Sequence, residues 1–273
     1  MTALAEAFAR ARAEERGALI GYLPAGFPTR DDSVRLMRAM VEAGVDIVEV
    51  GLPYSDPLMD GPVIQAAADQ ALRGGTTPAD VIAVAGEVAQ TGAATVVMSY
   101  WNPVERFGVD RFARDLAAAG GCGVITPDLT PEESAAWAAA TGEHDIDRIY
   151  LVAPSSTDER LRTVSDACTG FVYAASTMGV TGARSTVSDA AETLVLRVRE
   201  VTDLPVAVGL GVSTGEQAAE IAAYADGVIV GSAFIKLILE APGIDEAEAA
   251  VAALARELAV GVRRRRIDAG PVT

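Results

Sequence analysis

The chain has 273 residues, half of them hydrophobic but only 5% aromatic, a length that suits one α/β barrel better than two domains and a core built from Ala, Val, Leu and Ile. Its formal charge of −16 argues against a nucleic-acid or anionic-membrane surface, since both need clustered Lys and Arg. Cys122 and Cys168 are too few and too far apart for a disulfide framework or a metal site, which points to the reducing cytosol.

From the start of the chain, residues 3 to 16 read as a short amphipathic helix with Leu4, Phe8 and Ala11 on one side. Met1 to Arg16 lacks a continuous signal-peptide core, and no later stretch reads as membrane-spanning. Short apolar runs then recur as buried strands: Leu19 to Leu23, Asp46 to Val50, Thr95 to Ser99, Gly123 to Thr126, Arg148 to Val152, Phe171 to Ala175, Pro205 to Val208 and Gly227 to Val230. Segments of helical spacing separate them, such as Val34, Met37, Met40 and Val41, or Ala218, Ile221 and Ala222. Eight alternating strand and helix units imply a parallel sheet. The absence of a G-x-G-x-x-G turn after the first strand favours a closed (β/α)₈ TIM barrel, spanning residues 1–273 as one domain with the barrel proper at about 17–262. The interval from Gly51 to Thr77 reads as a long loop, and loops of that length are usually functional. The run Arg263 to Arg266 reads as the solvated end of the last helix.

Catalytic groups in such barrels sit at the C-terminal ends of the strands and in the loops that follow. Glu49 ends the second strand, sharing a face with Ile47, either inside the barrel mouth or in an internal ion pair. Burial there would raise its pKa toward the range of a general acid. Asp60, between Met59 and Gly61 in the long loop, reads as turn chemistry or as a second carboxylate. Gly209 to Ser213 after the seventh strand and Gly231 to Ala233 after the eighth form a paired phosphate-binding arrangement, the second opening a short helix. Ser176 to Ser185 reads as a mobile lid or an ordinary loop. Lys236, the only lysine, lies in the helix after the eighth strand, and His144, the only histidine, lies in a polar stretch. Schiff-base and zinc-based aldol cleavage are therefore both disfavoured, and carbon–carbon cleavage here would rest on carboxylates.

The run from Val48 to Pro62, with both carboxylates, closely resembles the signature of tryptophan synthase α subunits. Pro24 to Pro28, Tyr100 to Pro103, Pro127 to Leu129 with Glu132 and Glu133, Gly179 to Gly182 and the two phosphate loops resemble it too. The resemblance covers residues 3 to 262. It implies retro-aldol cleavage of indole-3-glycerol phosphate to indole and glyceraldehyde 3-phosphate, with Glu49 the acid/base at indole C3 and the glycerol hydroxyl and Asp60 stabilising charge at the indole N–H. It implies that Tyr22 and Met98 line the indole pocket, that Tyr173 lies near Glu49, and that Thr181 closes the lid over Asp60. Gly182, Gly211, Gly231 and Ser232 would hold the phosphate, with Leu210 beside the substrate. Tyr22 and Leu210 depart from phenylalanines familiar in the family, and Thr177 from an arginine found in some members. The family further implies a cytoplasmic α₂β₂ assembly with a β subunit that carries pyridoxal phosphate, this chain holding no cofactor or metal. A stand-alone lyase, or a non-catalytic α-type activator of a β subunit, is the alternative.

Overall fold

Short runs of Val, Ile and Ala broken by Gly, Pro and Asp favour strands buried on both faces, and such strands form the centre of the molecule. A computed structural model of the chain describes residues 2–175, 184–209 and 211–264. In chain order its elements are α1 (Ala3–Ala13), β1 (Ala18–Pro24), α2 (Arg30–Glu42), β2 (Ile47–Gly51), α3 (Pro62–Arg73), α4 (Pro78–Ala89), β3 (Ala94–Met98), α5 (Trp101–Phe107), α6 (Val109–Ala119), β4 (Gly123–Ile125), α7 (Ala135–Glu143), β5 (Asp147–Ile149), β6 (Leu151–Val152), α8 (Asp158–Ala167), β7 (Val172–Ala175), α9 (Arg184–Arg199), β8 (Val206–Gly209), α10 (Gly215–Ala222), β9 (Gly227–Val230), α11 (Ser232–Glu240) and α12 (Ile244–Val262). Threonines cap several helix starts; Thr77 and Asp80 form a reciprocal capping box on α4. Among the described residues no helix is long and apolar enough to cross a membrane.

The strands form one sheet in the order β5-β4-β3-β2-β1-β9-β8-β7-β6. Every neighbouring pair is parallel. Its two ends, β5 and β6, are separated in sequence by Tyr150 alone. They are halves of one barrel strand: Asp147–Ile149 pairs with β4 and Leu151–Val152 with β7, so the chain through Tyr150 closes the ring. At the break the Tyr150 N–H points to Cys168 Sγ at 3.4 Å, while its carbonyl accepts from the Tyr173 N–H at 3.1 Å. The eight expected strands are all present, the fifth of them interrupted.

The long loop expected from Gly51 to Thr77 is shorter than the sequence suggests, because α3 occupies Pro62–Arg73. Pro62 opens that helix, and its buried stripe is Ala67, Ala68 and Ala71, residues too small to announce an amphipathic face. What is left before α3 is a loop of residues 52–61, which carries Asp60.

Alternation along the strands sorts the core into two shells. Val48, Val50, Val97 and Val124 pack outward against helix residues such as Leu36, Met37, Val81 and Phe112. Ile20, Ile47, Val96, Ile125, Ile149, Phe171, Ala207 and Ile229 fill the barrel, and Leu4, Ala7, Phe8 and Ala11 of α1 close its lower end against them. Phe8 meets Phe171 at 5.5 Å between ring centroids, and the Thr2 hydroxyl ties the start of α1 to Asp147 Oδ2 at 2.6 Å. The bottom of the barrel is thereby sealed, which leaves the strand C-termini as the open end.

Aspartates at strand entrances fix the relative heights of the strands. Asp226 accepts from the Val206 N–H at 3.0 Å. Asp46 accepts from the Leu19 N–H at 2.9 Å while both its oxygens engage the Arg16 guanidinium at 2.6 and 2.8 Å. Arg16 is only 5% exposed and also meets Glu14 Oε2 at 2.7 Å, so Asp46→Ala would leave a buried cation with only the more exposed Glu14 as its partner. That substitution should destabilise the fold by about 3–5 kcal/mol in urea denaturation; a loss below about 1 kcal/mol would show that the pair is solvated.

Candidate active site

Glu49 lies one layer above Ile47 on the same face of β2, in register with Tyr22 of β1 and Val96 of β3. It is 1% exposed, and its Oε2 has no hydrogen-bond partner among the described residues. No cation reaches it, so the internal ion pair is ruled out among the described residues and the mouth position holds. Removal from water, and secondarily the charge of Asp60, push its carboxyl from the ordinary value near 4.5 up to about 8. At neutral pH Glu49 is a carboxylic acid with a proton to give.

Asp60 is placed differently. It ends the loop before α3, where its carbonyl accepts from Gln65 Nε2 at 2.7 Å. The Tyr100 hydroxyl donates to Asp60 Oδ1 at 3.3 Å and accepts from the Met59 N–H at 3.0 Å, and the Tyr54 ring packs against that of Tyr100 at 5.3 Å. Partial burial raises the Asp60 carboxyl and the Tyr100 hydroxyl draws it back down. One carboxyl is dry and unpartnered, the other half-buried and hydrogen-bonded. Such unequal surroundings assign acid and carboxylate roles to two otherwise similar groups.

Tyr100 is the residue that sequence reasoning passes over, counting it only within the Tyr100–Pro103 motif. Its signal was its place: it directly follows Ser99 at the C-terminal end of a strand, where phenols merit the same attention as carboxylates. The motif is also tied to a second one, since the Trp101 N–H donates to Asp128 Oδ1 at 2.8 Å.

Tyr22 and Tyr173 complete the wall around the carboxyls. Burial, reinforced by the charges of Asp60 and Glu49, lifts both phenols well above their ordinary range, so both stay neutral. Of the charged groups, Glu49 acts most strongly on Tyr173, and Met98 lies half-buried at the end of β3. The mouth therefore brings together two carboxyls and three phenols.

Across the mouth, β8 and β9 run side by side to Gly209 and Ile229. Gly211 takes a left-handed backbone with φ of 66°, which glycine alone adopts freely. Gly231 precedes α11, and Ser232 is that helix's first residue. The first in-helix bond donor is Ile235, bonded to the Gly231 carbonyl at 3.2 Å, leaving the earlier N–H groups for an anion. Thr181, Gly182 and Leu210 lie outside the described residues, as do residues 176–183 of the segment from Ser176 to Ser185 expected to be a lid or a loop. Lys236 is an exposed residue of α11 paired with Glu240 at 3.8 Å, and His144 caps the end of α7, 3.3 Å from Asp110. Neither reaches the mouth.

Comparison with known proteins agrees with this geometry. A family model described as tryptophan synthase alpha chain matches residues 8–263. The chain is 62% identical over 261 residues to the tryptophan synthase alpha chain of Mycobacteroides abscessus, covering 96% of this chain and 97% of that one. It is 60% identical over 266 residues to that of Thermobifida fusca, covering 96% and 98%. Among solved structures, tryptophan synthase from M. tuberculosis superposes with a TM-score of 0.87 at 55% identity, over 95% of this chain and 98% of that chain. The alpha subunit from Legionella pneumophila superposes with a TM-score of 0.88 at 31% identity, over 96% and 98%.

The buried carboxyl carries a stability signature. Folded, Glu49 keeps its proton up to about pH 8; unfolded, it ionises near 4.5. The unfolded chain thus binds fewer protons between those values, and stability falls as pH rises through the window, levelling off above it. Glu49→Gln, which cannot ionise, should exceed the wild type by about 2 kcal/mol or more at pH 9 and differ little at pH 4. Urea midpoints measured across that range decide it; parallel pH dependences would contradict the buried, unpaired placement.

Proposed function

The chain belongs to the tryptophan synthase alpha chain family, and from that membership we propose that it cleaves indole-3-glycerol phosphate to indole and glyceraldehyde 3-phosphate. The observation that carries this reading is the pairing of Glu49, dry and held protonated up to about pH 8, with the half-buried Asp60. A retro-aldol step on an indole needs one proton delivered to ring carbon C3 and one anion near the ring nitrogen. The two carboxyls match those needs in kind.

Glu49 would protonate C3, making that carbon tetrahedral and moving positive charge to the ring nitrogen. The Asp60 carboxylate would stabilise the N–H that carries the charge. The bond from C3 to the glycerol carbon then breaks, its electron pair restores the aromatic ring, and the adjacent hydroxyl yields its proton to Glu49 as the aldehyde forms. The proton that left is replaced, so Glu49 ends the cycle as it began. Tyr22, Met98 and Tyr173 would line the indole slot, with Leu210 beside the substrate. Gly182, Gly211, Gly231 and Ser232 would bind the phosphate through backbone N–H groups, and Thr181 would close over Asp60.

No step in this sequence calls on a metal or cofactor in this chain. We propose as its partner a tryptophan synthase β subunit in a cytoplasmic α₂β₂ assembly, with the pyridoxal phosphate chemistry on the β subunit's side. The exposed loop favours such a partner. Leu58 is 80% and Met59 50% exposed, neighbouring apolar side chains next to Asp60 that contact with another protein would cover. Because the Met59 N–H is bonded to Tyr100 and Tyr100 to Asp60, a partner seated there would act directly on the carboxylate. A stand-alone lyase lacks that explanation for the exposed pair, and a non-catalytic activator lacks one for the two carboxyls.

The test is incubation of the pure chain with indole-3-glycerol phosphate, with and without a β subunit, following indole and aldehyde. Slow cleavage alone and strong stimulation by the partner are expected; no cleavage under either condition would refute the lyase reading. Glu49→Gln and Asp60→Asn should each lower turnover by at least about a hundredfold without loss of fold, and wild-type rates in either would remove the assigned role.

A further inference from the structure

Tyr22 is closely packed at the mouth of the barrel. It stands on β1 opposite Glu49 and is 7% exposed. A Cβ on Gly51 would lie 2.5 Å from its Oη and 2.7 Å from its Cε2, and a Cβ on Gly231 would lie 3.0 Å from its Cδ1. Its ring therefore occupies a slot that exists because both strand-end residues are glycine, with the hydroxyl over Gly51. That hydroxyl makes no hydrogen bond among the described residues.

Four titratable groups act electrostatically on the Tyr22 hydroxyl, Asp60 of the loop after β2 the most strongly, then Glu49, its register partner on β2, Tyr100 at the start of α5 and Tyr173 of β7. Glu49 and Tyr173 are fixed on strands. Asp60 sits in a loop, where its side chain can turn, and Tyr100 engages only Oδ1, at a long 3.3 Å. Among the described residues, a closely packed donor without an acceptor thus lies within electrostatic reach of a carboxylate whose Oδ2 has no partner. Hydrogen bonding to an ionised group favours the ionised form and is stronger than bonding between neutral groups.

We propose that the Tyr22 hydroxyl is a positioning donor for Asp60: with substrate in the slot it hydrogen-bonds Oδ2 while Tyr100 bonds Oδ1, holding the carboxylate ionised and turned toward the indole N–H. This inference rests on the cleavage reading above. Tyr22 acts through Asp60, so its effect falls on the protonation and aim of that carboxylate more than on substrate affinity.

Tyr22→Phe keeps the ring in its slot and removes one oxygen. In the complex with the β subunit, the acid limb of the kcat–pH profile for indole-3-glycerol phosphate cleavage should move up by about one pH unit. At neutral pH kcat should fall about tenfold, with KM changing less than about threefold. 3-Fluorotyrosine at position 22, a stronger donor of nearly the same shape, should move the acid limb the opposite way, which a packing role would not do. An acid limb unmoved in both variants, or a loss confined to KM, overturns the inference and leaves the cleavage reading standing. Absence of cleavage by the wild-type complex overturns both.

Discussion

A carboxyl group that is almost wholly buried and meets no cation among the described residues governs the upper half of this barrel. Glu49 is fixed on a strand, 1% exposed, with Oε2 unpartnered among the described residues. Burial without compensation is costly, and the protein lowers that cost by keeping the group neutral, which displaces its pKa to about 8. The same displacement makes it an acid at neutral pH. Stability given up at this position is what keeps a protonated carboxyl at the mouth of the barrel.

The rest of the fold makes that arrangement sustainable. At the lower end α1 plugs the barrel with Leu4 and Phe8, and aspartates such as Asp46 lock strand to strand where no chemistry is done. The Arg16–Asp46 pair is also largely removed from water but matched, with both carboxylate oxygens engaged. The contrast between the matched ions below and the unmatched carboxyl above separates what holds the barrel together from what the barrel does. At the upper end the strands finish in glycines, and the space that Gly51 and Gly231 leave is taken by the Tyr22 ring. Loop residues 52–61 then connect an exposed apolar pair, Leu58 and Met59, to Asp60 through one tyrosine hydroxyl.

Much of this was legible in the sequence because its signals are periodic. Strand alternation placed Glu49 on the face of Ile47, and buried apolar runs located all eight barrel strands. The split of the fifth strand at Tyr150 was not legible, since pairing to different neighbours on either side leaves no mark on hydrophobicity. Helix α3 escaped because its buried stripe is alanine. Asp60 read equally well as a turn residue, and only the family resemblance singled it out; the structure adds the half-buried setting and the Tyr100 hydroxyl. Tyr100 itself was invisible as a partner because its hydrogen bond crosses 40 residues of sequence between a loop and a strand end.

The central claim is that Glu49 is a buried, unpaired acid, and carboxyl titration tests it most directly. With glutamate side chains labelled at the carboxyl carbon, the resonance absent from Glu49→Gln identifies Glu49, and its shift is followed by NMR from pH 3 to pH 10. A midpoint near 8, falling when Asp60 is replaced by Asn, is the predicted result. A midpoint near 4.5, the ordinary value for a glutamate carboxyl, would contradict the account.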